Sequence, residues 1–193
     1  CKTFDTHIIM PVIPSGRALL DSEALLRRAG LSIDMHYADL GAGMLGHFVL
    51  PACEIVGPGG EVYAVDILKE ALQSVESRAQ MENVTNLHIV WGDFERSGGV
   101  KIPPSSLHII SFVNVARVLI KTDVPIVEAK RLLRENGRVL VVDWKPGIGS
   151  MIVDEQRRVR SDDVHKLFIS HGFHLLEAFD AGPQHWGLLF KLT

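Results

Sequence analysis

The stretch Asp39-Leu-Gly41-Ala-Gly43-Met-Leu-Gly46 decides the fold of this 193-residue chain. A short, mostly apolar run, residues 36–40, leads into it, and helical spacing over residues 47–56 follows it. Glycines between a strand and a helix let the backbone turn tightly and approach a ligand closely, and the start of the helix adds a positive dipole. The stretch therefore predicts a ligand-binding turn at the carboxyl end of the first strand of an α/β sheet.

The rest of the chain alternates between strand-like and helix-like segments. We predict further strands over residues 61–65, 87–90, 107–113 and 138–144, and helices over residues 17–29, 67–81, 123–134 and 161–170. A turn at residues 135–137 is expected to end the third of these helices. Continuous apolar strands separated by helices are typical of a parallel sheet covered on both faces. Two last strands, 173–179 and 186–192, are joined by a link so short that they must be antiparallel neighbours.

These patterns predict one Rossmann-like, doubly wound α/β domain over residues 1–193, with a mostly parallel sheet and an antiparallel C-terminal hairpin. Residues 1–30 form an N-terminal segment with a helix, and residues 31–193 form the core. A charged fraction of 22% and a net charge of −3 exclude wholesale disorder and disfavour nucleic acid as a partner. We find no run apolar enough for a membrane span and no signal-peptide pattern. With only Cys1 and Cys53 present, we expect no metal site and a cytoplasmic location.

A carboxylate at the end of the second strand narrows the choice of ligand. Asp66 follows Gly46 by 20 residues, where an acidic side chain can accept hydrogen bonds from ribose hydroxyls. Dinucleotides and S-adenosylmethionine are both bound in this way, and Gly41, Gly43 and Gly46 match the dinucleotide spacing. Asp39 decides between them, because it would repel a pyrophosphate but suits the cationic methionine end of S-adenosylmethionine. We therefore predict S-adenosylmethionine as cofactor, with S-adenosylhomocysteine as product; an NAD(P)-dependent oxidoreductase and a non-catalytic binding module remain the alternatives.

From about residue 22 to its end, the chain resembles class I S-adenosylmethionine-dependent methyltransferases, most nearly the small ubiquinone/menaquinone-biosynthesis type. The matching stretches are Tyr37-Ala-Asp-Leu-Gly-Ala-Gly43, Gly57-Pro-Gly-Gly-Glu-Val-Tyr-Ala-Val-Asp66, Gly92-Asp93, Leu132-Leu-Arg-Glu-Asn-Gly-Arg-Val-Leu-Val-Val-Asp143 and the tail from Gly172-Phe173 to Leu192. The resemblance implies a seven-stranded sheet with the strand order 3-2-1-4-5-7-6 and its last strand antiparallel.

The resemblance also implies a role for particular residues. The methionine and ribose part of the cofactor would lie on Gly41, Ala42, Gly43 and Gly46 beside Asp39, and the ribose hydroxyls would bind Asp66. The adenine would lie against Ile67, Gly92, Asp93 and Phe94, and Asn114 would face the methyl-donor end. One departure from the family pattern is an extra residue in the loop at Met44-Leu45-Gly46, which either bulges outward or narrows the site.

The acceptor side carries no nucleophile motif, so the sequence identifies no catalytic residue. Polar or aromatic candidates near predicted strand ends are Tyr37, His47, His108, Asp143, His185 and Trp186. Two apolar stretches, residues 145–153 and 7–14, are placed to cover the same sheet edge, which favours a small, partly apolar acceptor. The basic cluster Arg157, Arg158 and Arg160 raises RNA as a competing substrate, but such charge runs are usually solvated.

Overall fold

A seven-stranded sheet organises the computed structural model, which describes residues 20–147 and 158–193. Its strands are β1 (His36–Leu40), β2 (Glu61–Asp66), β3 (Leu87–Trp91), β4 (Leu107–Val113), β5 (Leu133–Trp144), β6 (Phe173–Asp180) and β7 (His185–Leu192). The described helices are α1 (Ser22–Arg28), α2 (Val49–Val56), α3 (Lys69–Met81), α4 (Ala116–Leu119), α5 (Val124–Leu132) and α6 (Ser161–Ser170). The strand order is β3-β2-β1-β4-β5-β7-β6, and β7 is antiparallel to both neighbours. The predicted fold class, strand order and C-terminal hairpin are confirmed.

Side chains alternate between the two faces of the sheet and build two hydrophobic layers. Ala38 and Leu40 of β1 join Ile110 and Phe112 of β4 in one layer, which α4, α5 and α6 cover. Tyr37 and Ile109 belong to the opposite layer, which α1, α2 and α3 cover. Because the side-chain period of a strand is two, Asp39 and Ser111 share the face of Tyr37. The strand sequences thus carry polar groups into one otherwise apolar layer.

Two helices begin later than their sequence pattern predicts, whereas α6 has the predicted bounds. Helix α2 begins at Val49 rather than His47, because Gly46 has a φ of +57° and Phe48 is the N-cap. Helix α3 begins at Lys69 rather than Ile67, because the Asp66 carboxylate accepts the Leu68 amide and holds Leu68 extended. In both places the turn that forms the candidate site delays the helix by two residues.

The predicted end of the helix and the predicted start of the fifth strand were wrong. Helix α5 ends at Leu132, and Leu133 already pairs with Leu107 of β4. The expected helix-ending turn at residues 135–137 is instead an irregularity within β5, with Asn136 at a φ of +61°. The four-residue helix α4 was not predicted, since a single helical turn is too short to show a period.

Some predicted features lie outside the described residues. They are the start of the first helix before residue 20, the apolar run 7–14 and most of the stretch 145–153. Within the described ranges, none of the helices has both the length and the apolar character that crossing a membrane requires.

A buried ion pair on α5 fixes the loop that follows β3. Glu128 is 1% exposed, and its carboxylate accepts the amides of Gly98 and Val100 at 3.0 and 3.2 Å and pairs with Arg131 at 2.6 Å. Arg131 in turn donates to the Val100 carbonyl at 2.9 Å. Burial opposes the charge of Glu128, but these hydrogen bonds outweigh it and lower the pKa of the carboxyl group. The pair therefore connects a helix on one face of the sheet to one wall of the site described below.

We predict that Glu128→Gln lowers the free energy of unfolding by about 2–4 kcal/mol at neutral pH, because Arg131 loses its partner and one backbone amide loses its acceptor. Because the pKa is lowered in the folded state, the difference from wild type should shrink as the pH falls through that pKa. Urea unfolding measures both effects. The exposed Glu76→Gln serves as the control, and equal losses for the two variants would contradict the prediction.

Candidate functional site

The topology brings the carboxyl ends of the parallel strands to one edge of the sheet. Strands β1 to β5 run parallel and all end there, and β7 begins there because it runs the other way. Ligands of open α/β sheets bind at this edge, where the chain order reverses between β1 and β4. The pairing of Trp144 with His185 places the start of β7 beside the end of β5. Residues from both halves of the chain thus meet at one crevice.

The glycine loop after β1 directs its first backbone amides inward. Gly41 and Ala42 both donate to the carbonyl of Val65, at 2.9 and 3.0 Å, and Gly43 donates to Oδ2 of Asp66 at 3.0 Å. A pyrophosphate would need such amides as its own donors. Since three consecutive amides are already taken by β2, this loop is unsuited to a dinucleotide despite its glycine spacing.

The three predicted glycines have different surroundings. Gly43 has a φ of +63° and only open space where a side chain would point, so it borders the crevice. A Cβ on Gly41 would lie 3.0 Å from Val115. Because glycine has no Cβ, the loop can pack closely against the segment that contains Val115. Gly46 is buried and faces Val75 of α3. Gly46 is therefore required for packing of the loop against α3. This packing explains the third glycine of the dinucleotide-like spacing.

The extra loop residue makes the loop bulge outward. Met44 and Leu45 are 59% and 64% exposed, and the guanidinium of Arg78 on α3 donates to the Leu45 carbonyl. Both side chains form part of the wall of a cavity that the loop encloses. The loop therefore adds apolar surface to the rim of the crevice.

Asp66 is the junction of the site. Its Oδ2 accepts the Gly43 amide, its Oδ1 accepts the Leu68 amide at 2.9 Å, and the side chain is 8% exposed. Each carboxylate oxygen has a second lone pair and can accept a further hydrogen bond. The residue therefore holds the glycine loop and the start of α3 in place, and it can still accept a hydroxyl donor.

Asp39 lies lower in the crevice, at the end of a buried hydrogen-bond chain. Ser111 of β4 pairs with Asp39 in register and donates to its Oδ1 at 2.5 Å, and the Tyr37 hydroxyl lies 2.5 Å from the same serine oxygen. Burial raises the pKa of Asp39 to about 7, Ser111 lowers it in part, and the charge of Asp66 raises it again. An arriving cation would reverse that shift and favour the ionised form.

Two cavities lie on either side of Asp66. The loop cavity, of about 310 Å³, is lined by Leu20, Asp39, Gly41 to Leu45, His47, Phe48, Val113, Asn114, Trp144 and His185. The β3 cavity, of about 650 Å³, is lined by Ile67, Trp91 to Asp93, Arg96 to Gly99 and Lys101. Gly43 reaches Asp66 from the first, and Ile67 follows Asp66 into the second. Most predicted site residues are thereby divided between two neighbouring spaces.

The lining of the β3 cavity combines polar and apolar side chains. Oδ1 of Asp93 accepts the Glu95 amide at 2.9 Å, which shapes the turn after β3. A Cβ on Gly92 would lie 3.0 Å from the Gly99 carbonyl, so the glycine lets the two walls approach. Ile67 is 56% exposed, and its carbonyl accepts the indole N–H of Trp91 at 3.0 Å. The ring of Phe94 stacks edge-on against the buried Phe112, and the predicted contact of Phe94 beside the adenine stays a prediction.

His185 is the side chain at the loop cavity that sequence reasoning named only among several candidates. Its ring lies 4.0 Å from the ring of Trp144, centre to centre, and is 1% exposed. Neither ring nitrogen has a hydrogen-bond partner in the described structure. His47, in contrast, has its Nε2 within 2.9 Å of the Leu20 carbonyl. The signal that singles out His185 is its position at the start of an antiparallel strand, which places it at the same edge as Asp39.

The remaining candidates have structural roles. Asp143 accepts the amides of Ala116 and Trp144, both at 2.7 Å, and so fixes the start of α4. The Trp186 indole donates to the Val159 carbonyl at 3.0 Å. His108 accepts the His36 amide at the opposite edge of the sheet, beside a separate cavity of about 270 Å³. The described residues contain no group of three or more side chains suited to a metal ion.

Comparison with known proteins agrees with this architecture. A sequence profile of the methyltransferase domain matches residues 31–181. A SAM-dependent methyltransferase from Aquifex aeolicus has a similar structure, with a TM-score of 0.86 and 19% identity over 93% of this chain and 94% of that chain. A phosphoethanolamine N-methyltransferase 2 from Haemonchus contortus, in complex with S-adenosyl-L-methionine, has a TM-score of 0.70 and 15% identity over 90% of this chain and 52% of that one. The [4+2]-cyclase SpnF also resembles it, with a TM-score of 0.73 and 12% identity over 89% and 79% of the two chains. Curated protein sequences yield no match.

The chain therefore belongs to the methyltransferase domain family. It is a class I methyltransferase, and its cofactor is S-adenosylmethionine. The comparisons do not single out the ubiquinone/menaquinone-biosynthesis type among these enzymes.

We predict that Asp39→Asn becomes more stable relative to wild type as the pH rises from about 5 to about 8. The folded protein raises the Asp39 pKa from 3.8 to about 7, so it binds the proton more tightly than the unfolded chain does. That stabilisation is fully present below about pH 4 and is lost as the pH rises to about 7, by up to about 4 kcal/mol in all and about 3 kcal/mol of it above pH 5. Asparagine does not ionise, and urea unfolding of the cofactor-free protein measures the difference. Parallel pH curves for the two proteins would contradict this, and the exposed Asp163→Asn is the control.

Proposed function

We propose that this enzyme transfers a methyl group to a small, partly apolar acceptor held in the loop cavity. The observation that carries the proposal is the composition of that cavity's wall. Leu20, Met44, Leu45, Phe48, Val113 and Trp144 make it mostly apolar, while Asp39, His47, Asn114 and His185 contribute the polar groups. Pockets that bind small molecules have this mixture of an apolar lining and a few placed polar groups.

The site residues fit the cofactor of the family. We place its ribose on Asp66, its adenine in the β3 cavity between Ile67 and Asp93, and its amino-acid end beside Asp39. The fit rests on the open space over Gly43 and on two carboxylates that suit a sugar and a cation. When bound, the cofactor supplies a methyl group on a positively charged sulfur.

The chain's own residues then position and shield the reaction. Gly43 leaves room beside the loop, and Met44 and Leu45 exclude water from its rim. Asp39 is held by Ser111, so its charge can develop without a change of position. Asn114, at a φ of +59°, presents its side chain at the end of β4. Methyl transfer needs alignment more than acid–base assistance, and these groups supply that alignment.

A small molecule remains our proposal for the acceptor in preference to RNA. The net charge is −3, and the described members of the basic cluster have partners within the chain. Arg158 donates to the Lys145 carbonyl at 3.0 Å, and Arg160 lies 3.5 Å from Asp162. Nucleic-acid binding relies on cations that are free to pair with phosphates. The cytoplasmic location inferred from cysteine usage stays a prediction.

The sequence left two alternatives, an NAD(P)-dependent oxidoreductase and a non-catalytic binding module. The loop amides that already bond to β2 count against a dinucleotide and so against the oxidoreductase. A binding module without turnover is the remaining competitor, and the similarity to a protein named as a cyclase shows that this fold carries other chemistry. Tight binding of S-adenosylhomocysteine without methylation of any acceptor would favour the module.

We predict that S-adenosylhomocysteine raises the melting temperature while NADH and NADPH do not. Asp66→Asn should weaken binding about 10- to 100-fold, because one charge-assisted hydrogen bond to a hydroxyl is worth about 1.5–3 kcal/mol. Calorimetry measures the affinity, and Asp163→Asn should leave it unchanged. A melting shift with NADH alone would contradict the assignment.

The raised pKa of Asp39 gives a pH dependence to cofactor binding. The ionised carboxylate is the form that attracts the amino-acid end, and it becomes populated only as the pH approaches about 7. We therefore predict that affinity for S-adenosylmethionine rises by up to about tenfold per pH unit between about pH 5.5 and about pH 7. In Asp39→Asn the affinity should be weaker and nearly independent of pH. Calorimetry over that range tests this, and an equally steep rise in the variant would contradict it.

A further inference from the structure

A buried imidazole without partners is unusual in a folded protein. Every neutral imidazole has one N–H donor and one acceptor nitrogen, and leaving such groups buried and unpaired destabilises the folded protein. His185 has two ring nitrogens in this condition, and its ring lines the loop cavity. Groups of this kind are retained where a ligand completes their hydrogen bonds.

The surroundings of His185 keep its ring uncharged. Burial, and then the positive charge of Lys145, lower the pKa of the imidazole to about 4. Lys145 itself pairs with Asp180 at 2.6 Å, and Asp143 on the adjacent strand is occupied by two backbone amides. Asp39 is the other acidic group in the same cavity. At neutral pH the ring is therefore uncharged, and its unprotonated nitrogen is free to accept a hydrogen bond from a ligand.

We propose that His185 is the catalytic base of this enzyme and that its acceptor carries a phenolic hydroxyl. The inference rests on the proposed function. A ring nitrogen of His185 accepts the hydrogen bond of the hydroxyl while the aromatic frame of the acceptor lies against Trp144 and Phe48. The O–H bond breaks, its proton passes to the imidazole, and its electron pair stays on the oxygen. That pair forms the new bond to the methyl carbon, while the electrons of the broken carbon–sulfur bond leave with the sulfur, and the imidazolium later returns its proton to water.

The apolar wall and the charge of Lys145 favour a phenol over an amine. An ammonium acceptor would bring a second positive charge next to Lys145, whereas a phenol brings none, and the imidazolium forms only together with negative charge on the adjacent oxygen. A phenol is uncharged on entry, and the charge of Lys145 stabilises the negative charge that develops on its oxygen. Its ring can stack against Trp144, which lies beside His185.

Two phenols of similar shape distinguish an effect of His185 on proton removal from an effect on substrate fit. 4-Methylphenol keeps its proton at neutral pH, whereas 4-nitrophenol is largely ionised slightly above neutral pH and needs no base. With 4-methylphenol, His185→Gln should lower kcat at least about 100-fold with little change in KM, as loss of a general base does. With 4-nitrophenol the loss should be at least about tenfold smaller. His174→Gln removes an exposed imidazole from β6 and should change neither rate.

Three results would overturn the proposal. They are a loss below about threefold with 4-methylphenol, equal losses with both phenols, and methylation of 4-methylaniline or 4-methylbenzenethiol but not of the phenol. If no phenol is turned over, NMR of ring-labelled histidine in the protein saturated with S-adenosylhomocysteine decides instead. The His185 signal, assigned with His185→Gln, should shift on addition of 4-methylphenol, and an unchanged signal would refute the assignment. Failure of S-adenosylhomocysteine to bind would instead refute the cofactor placement, so the two failures are distinguishable.

Discussion

The carboxylate of Asp66 is the interaction on which the site depends. One oxygen holds the glycine loop after β1 and the other holds the turn into α3, so a single side chain sets the spacing between two neighbouring strand ends. Because both contacts are to backbone amides, they depend on loop length and register more than on neighbouring side chains. The bulge at Met44 and Leu45 leaves the Gly43 contact intact, and the extra residue is therefore accommodated at the rim of the loop cavity.

A second constraint comes from the polar chain under the crevice. Tyr37, Ser111 and Asp39 lie on one face of β1 and β4 because strand side chains alternate, and the pairing of Ser111 with Asp39 fixes their contact. An apolar residue at either position would pack more easily there. Keeping a buried carboxyl near its ionisation point costs stability in the empty protein, and it makes the charge available when a cation arrives. The site is thus partly preorganised and partly completed by its ligand.

The sequence predicts most of the fold and part of the site, and the boundary has a physical basis. Strand order, the hairpin and the position of Asp66 follow from apolar runs, turn residues and the spacing of one motif. Gly46 packs against Val75, which is distant in sequence, so its packing role could not be predicted from the motif. The glycine spacing by itself predicts a ligand contact for Gly46 instead. The irregular start of β5 depends on pairing with Leu107, which overrides the local turn signal at Asn136 and Gly137. The missing partners of His185 become visible only when every neighbouring polar group has been placed.

Because β7 runs in the reverse direction, the cofactor site and the proposed base lie on different halves of the sheet. Parallel strands deliver only their carboxyl ends to the crevice, and in β1 and β2 these ends carry the carboxylates and glycines that suit the cofactor. An antiparallel strand delivers its first residue to the same edge, and here that residue is His185, opposite Trp144. The base that we propose therefore belongs to a hairpin that is separate from Asp66 and from the glycine loop. Since β7 pairs with β5 from His185 to Lys191, His185 is positioned as firmly as the sheet itself. A strand position of this kind is suited to a base that must meet one particular atom of its substrate.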